Sequence, residues 1–150
     1  MTTSVTHIAL VVPDLRDAET FYRSVFDMEL IGREAARADG LWATLPFDKG
    51  WDDAKAAGIE LNMVALRTDQ FVLALFRGAA SPGQVYVIGL AMPAEEIAGV
   101  RARLPEGMRG RADSPDRLEF RDPWQITWQI SLPGTAFRTA GDWANRWLEL

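Results

Sequence analysis

HIALVVP (residues 7–13) and VIGLAMP (residues 87–93) share Ile, Leu and Pro at matching positions and lie about half a chain apart. Each is a short apolar run rich in β-formers that ends at a proline, and each is followed by a polar segment of helical character. The followers are DLRDAETFYRSVF (residues 14–26) and AEEIAGVRARL (residues 94–104). In the first, Ala18, Phe21, Tyr22 and Val25 fall at i, i+3, i+4 and i+7, with Arg16, Asp17, Glu19 and Arg23 on the other face and Asp14 placed to cap the start. The pattern predicts an amphipathic helix laid on a sheet. A strand, a proline and a helix thus occur twice, which marks an internal repeat.

The remaining runs extend it. GIELNMVAL and DQFVLALF follow the first helix, RLEF and WQITWQI follow the second, and the short Gly, Ala, Ser and Pro-rich RGAASPGQ separates the halves. The expected organisation is α+β: two modules at about 1–78 and 84–132, each a strand, a helix and two or three further strands, then a C-terminal helix at about 140–150 with Asp142 as its cap. Strand alternation assigns faces. His7, Ala9 and Val11 share one face of the first strand, Val87, Gly89 and Ala91 the matching face of its repeat, and Gln125, Thr127 and Gln129 one face of WQITWQI. These faces are expected to line a cleft, while Ile8, Leu10, Trp128 and Ile130 pack under the helices.

Bulk properties narrow the function. The 150 residues are 48% hydrophobic, enough for one well-buried domain, and carry a net charge of −5. With a pI near 4.9 no basic face is implied, so nucleic acid is not an expected partner. The absence of cysteine excludes disulfides, thiolate ligands and a cysteine nucleophile. No run reaches the roughly 20 apolar residues that span a bilayer. The N-terminus MTTSVTH has neither a basic nor an apolar signal region, so the expectation is a cytoplasmic protein without membrane contact. No Gly-rich phosphate loop and no G-x-S-x-G nucleophile elbow occur.

HIALVVPDLRDAETFYRSVFDMELIGR and FRDPWQITWQI resemble the opening and closing segments of the vicinal oxygen chelate superfamily, which comprises glyoxalases, bleomycin-resistance proteins and extradiol dioxygenases. The resemblance implies two βαβββ modules whose sheets curl round a shared cleft. In metal-using members four strand positions hold a divalent cation. Carried onto this chain, those positions are His7, Ala74, Val87 and Gln129. Alanine and valine offer no lone pair and a glutamine oxygen is a poor substitute for a carboxylate, so no metal site and no cofactor are expected from this set. A rearranged metal site combining His7 with Glu60 or Glu119 is the alternative.

His7, the sole histidine, is read as a neutral cleft histidine hydrogen-bonded to a neighbour, or as one that touches ligand or performs acid–base catalysis. Thr127, Gln125 and Gln129 are its polar companions, and Arg121 either reaches an anionic group or is solvated. Trp42 and Trp51, in the aromatic stretch LWATLPFDKGWDD (residues 41–53), are candidate ligand contacts as a lid, or else rings that cap the sheet or a dimer partner. The expected function is metal-independent binding of a small apolar or aromatic molecule. The alternative is a lyase, isomerase or dioxygenase of the family's type acting through His7. A homodimer is expected because members of this family commonly pair.

Overall fold

The computed structural model describes residues 3–69, 71–78, 84–108, 114–121, 126–134 and 137–150. In chain order they form β1 (Ser4–Val12), α1 (Leu15–Phe26), β2 (Glu29–Ala36), β3 (Trp42–Thr44), α2 (Trp51–Ala56), β4 (Met63–Arg67), β5 (Val72–Arg77), β6 (Gln84–Ala91), α3 (Ala94–Arg103), β7 (Arg117–Arg121), β8 (Thr127–Ser131) and α4 (Ala140–Ala144). The eight strands make one mixed, curled sheet in the order β3-β2-β4-β5-β1-β6-β8-β7. The repeat is visible in that order. β1 pairs in parallel with β5 and β6 in parallel with β8, and the antiparallel β1–β6 pairing joins the halves. Among the described residues the second half contributes β6, α3, β7 and β8. None of the described helices is long and apolar enough to cross a membrane.

α1 and α3 cover the same side of the sheet, one over each half. Leu10, Val12, Leu66, Leu73 and Leu75 meet Leu15, Ala18 and Tyr22 of α1, and Leu118, Ile130 and Met92 meet Ile97 of α3. The opposite face carries Ala9, Ala74 and Val87, with Met63, Ala65 and Val72 beside them. Alternation along β1, β6 and β8 assigned these faces correctly.

The buried face of α1 is rotated from the one its apolar spacing predicts. Phe21 and Val25 are each 55% exposed, whereas Glu19 is only 4% exposed. Glu19 takes two hydrogen bonds from Arg33, from Nε at 2.9 Å and Nη2 at 3.1 Å, and a third from Trp51 Nε1 at 2.7 Å. A carboxylate with three charge-assisted or aromatic donors is tolerated in a core where an unpaired one is not. Arg33 also lies over the Trp51 ring, 5.4 Å from its centroid.

The C-terminus departs from the expected helix as well. α4 ends at Ala144, with Asn145 in the left-handed region at φ 52, and its cap is Thr139, while Asp142 lies in the first turn. Beyond it the chain runs extended beside β3. Thr44 N–H donates to Arg146 O at 2.9 Å and Leu148 N–H to Thr44 O at 2.6 Å, which covers the sheet edge. Gly141 permits this, because a Cβ there would sit 2.7 Å from the Trp147 ring. Buried Glu34 accepts from Ala140 N–H and from Thr44 Oγ1 at 3.0 Å, and Thr44 Oγ1 accepts from Gly141 N–H at 2.7 Å. Burial raises the Glu34 pKa above its ordinary 4.5, partly offset by those donors.

Glu34→Ala strands two buried donors and is expected to destabilise the protein by about 2–3 kcal/mol in urea denaturation. Glu34→Gln keeps an acceptor oxygen and is expected to cost less. Since the folded pKa is raised, the native contribution of Glu34 is fullest below pH 4.5 and falls as pH rises through the folded value. Glu34→Gln is expected to remove that slope.

Candidate functional site

Strand register builds the site. Glu119 of β7 pairs with Gln129 of β8, Gln129 with Gly89 of β6, and Gly89 with His7 of β1, so the four form one row across the sheet. Gly89 has no side chain, and Gln129 reaches across it to His7. A Cβ at Gly89 would overlap His7 Nδ1 and Cε1, so the ring fits only over glycine. A register shift between Val5 and His7 interrupts the β1–β6 ladder at Thr6, and Thr6 Oγ1 lies 2.9 Å from His7 Nδ1. His7 Nε2 lies 3.0 Å from Gln129 Oε1, and Gln129 Nε2 donates to Glu119 Oε2 at 3.1 Å. The Phe137 ring sits 5.1 Å away at 54° to the imidazole.

These partners leave His7 7% exposed, and desolvation lowers its pKa from 6.5, opposed in part by the Gln129 hydrogen bond. The imidazole is therefore neutral at neutral pH, with one nitrogen donating and the other accepting. Both of its nitrogens are in use.

The row forms part of the floor of a cavity of about 810 Å³ on the sheet face away from α1 and α3. Its size suits a small organic molecule. Trp42, Phe76 and Tyr86 form a wall of edge-to-face rings, with centroids 6.1 and 5.5 Å apart. The C-terminal segment adds Trp143 and Arg146 to the lining; the Arg146 guanidinium lies 5.1 Å from the Trp143 ring centroid and its Nε donates to Trp42 O at 2.9 Å.

Of the residues expected from the sequence, His7, Trp42, Arg121, Thr127 and Gln129 line this cavity, together with Ala74 and Val87. Gln125 lies outside the described residues. Trp51 begins α2, packs against the core under α1 and is bonded to Glu19, the sheet-capping one of its two expected placements, and it is not among the residues lining this cavity. Glu60 is exposed and ion-paired with Arg77, away from His7, whereas Glu119 does join His7 through Gln129. Glu34, Phe76 and Phe137 also line the cavity and were not anticipated. Gly89 carried the readable signal, as the one side-chain-free position on an inward face opposite the histidine strand.

The donor set does not fit a divalent cation. Ala74 and Val87 supply no ligand atom, and His7 Nε2 is held by an amide. Among the described residues no three His, Asp or Glu side chains are grouped to hold one.

Gly89→Ala removes the space over which the imidazole lies. With the protein labelled at its sole histidine, NMR titration of this variant is expected to return the pKa toward 6.5 as the ring moves into solvent.

Residues 4–87 match the family model described as Glyoxalase/Bleomycin resistance protein/Dioxygenase superfamily. No curated protein matches the chain. Among solved structures, a hypothetical protein from Bacillus halodurans C-125 aligns at 12% identity over 93% of this chain and 100% of its own, with a TM-score of 0.51. A methylmalonyl-CoA epimerase from Mycobacterium tuberculosis aligns at 13% identity over 87% of this chain and 88% of its own, with a TM-score of 0.48. The fosfomycin resistance protein FosX from Listeria monocytogenes aligns at 13% identity over 88% and 93%, with a TM-score of 0.34. At such identities the first likeness speaks to the fold alone. With more than half of its 150 residues inside the family model, and a repeated strand–helix unit on either side of the β1–β6 junction, the chain belongs to the glyoxalase/bleomycin resistance protein/dioxygenase superfamily.

Proposed function

We propose that the cavity binds a small, flat, largely apolar organic molecule without a metal ion. The observation that carries this reading is the chemistry at the four positions where the family resemblance puts metal ligands. Two are the apolar floor residues Ala74 and Val87, and the other two, His7 and Gln129, are hydrogen-bonded to each other. What remains for a ligand is apolar area, ring faces and a few hydrogen-bonding groups, which is the usual make-up of an organic-molecule site. Trp42, Phe76, Tyr86 and Phe137 offer stacking surfaces whose ordering adds little entropic penalty.

Acid–base catalysis at His7 is the weaker reading. A proton acceptor needs a free lone pair within reach of the substrate, and both ring nitrogens are occupied by Thr6 and Gln129.

A naphthalene-class probe followed by tryptophan fluorescence is expected to bind saturably with one site per chain. Trp42→Ala is expected to weaken binding about tenfold, the value of one aromatic contact. Trp51→Phe, altered on the far side of the sheet, is expected to leave affinity unchanged. Absence of saturable binding, or equal losses in the two variants, would contradict the proposal.

A further inference from the structure

The hydrogen bonds of the cross-sheet row have a direction, and Glu119 sets it. A carboxylate only accepts, so the Gln129 NH2 faces Glu119, at 3.1 Å. That orientation turns Gln129 Oε1 to His7, and the contact at 3.0 Å requires Nε2 to carry the hydrogen. A neutral imidazole with Nε2–H has its lone pair on Nδ1, and Thr6 Oγ1 at 2.9 Å must then donate to it. Each hydrogen bond of the relay points from Thr6 toward Glu119, and the second hydrogen on Gln129 Nε2 is the one donor left over within it. Among the described residues, the unspent valences at its two ends are acceptors: the second oxygen of Glu119 and the lone pairs of Thr6 Oγ1.

Both ends face open space. Glu119 lines the main cavity, and a neighbouring recess of about 550 Å³ shares His7, Glu119, Gln129 and Phe137 with it and adds Thr6. Glu119 is half-buried, so an unmet donor or acceptor placed against it is partly shielded from water.

We infer that Glu119 is the positioning residue that fixes the His7 tautomer through Gln129, and that the site in consequence selects ligands presenting an O–H or N–H donor on an apolar body, such as phenols and arylamines. The ligand class rests on the cavity-binding reading above; the relay polarity does not. An ether or ester in place of the hydroxyl puts acceptor against acceptor and is rejected on polarity, not on shape.

Two measurements test this. Nitrogen-15 NMR of histidine-labelled protein reports a single imidazole, since the chain has one histidine. The expected pattern is a protonated Nε2 and an unprotonated Nδ1. Glu119→Leu, which lets the Gln129 amide turn, is expected to bring in the Nδ1–H form, and Glu119→Gln, which keeps an acceptor oxygen, to restore the original one. An Nδ1–H pattern in the unaltered protein, or no change in a folded Glu119→Leu variant, would overturn the assignment. In parallel, 2-naphthol is expected to bind about tenfold more tightly than 2-methoxynaphthalene, with the ratio collapsing toward one in Glu119→Leu. Equal affinities in the unaltered protein would sink the ligand class and leave cavity binding standing. Failure of both probes to bind would sink the cavity reading and the ligand class together, while the NMR result still decides the polarity.

Discussion

The fit of the His7 ring over Gly89 is the contact on which the site depends. β1 and β6 are the repeated first strands of the two halves, and they pair antiparallel at the centre of the sheet. A side chain on Gly89 would occupy the place of the imidazole. With glycine there, the histidine of one half can lie across the other half and meet Gln129 two strands away. The polar floor is thus a product of the joint between the modules, and neither module alone contains it.

The two faces of the sheet solve the problem of burying polar groups in different ways. On the helix side, Glu19, Arg33 and Trp51 form a compact cluster in which the carboxylate and guanidinium side chains are only 5% and 13% exposed. Such a pair is tolerated because the carboxylate accepts three hydrogen bonds, two of them from the guanidinium, and removing one partner would leave an uncompensated charge. On the cavity side, neutral groups carry the burial: Thr6, His7 and Gln129 are linked in series and only the terminal Glu119 is a carboxylate. Glu34 supplies the structural counterpart, holding the C-terminal segment whose Trp143 and Arg146 wall the cavity. Fold stability and cavity shape therefore meet at one buried acid.

Much of this was legible in the sequence. The strand–proline–helix repeat anticipated β1 with α1 and β6 with α3, and period-2 alternation placed His7, Val87, Thr127 and Gln129 on one face. The failures share a cause. Helical spacing favoured Phe21 and Val25 over Glu19 because Arg33 and Trp51, the partners that make Glu19 a core residue, belong to other elements. The sequence left Trp51 open between a lid and a sheet cap for the same reason. The tail read as one helix because a left-handed Asn145 and the seat for Trp147 over Gly141 depend on β3 being alongside. The relay was unreadable because it requires three strand registers at once, and a slip of one residue in any of them would turn a member to the other face.

A hydrogen-bonded row occupies two of the four positions, His7 and Gln129, where the family resemblance puts metal ligands. Metal content of protein prepared without chelator, measured by plasma mass spectrometry beside an otherwise identical His7→Ala sample, tests it most directly. The account predicts far less than one equivalent of Fe, Mn, Ni or Zn in both samples. Near-stoichiometric metal in the unaltered protein that disappears with His7 would contradict it, because His7 Nε2 would then be bound to a cation and not to Gln129.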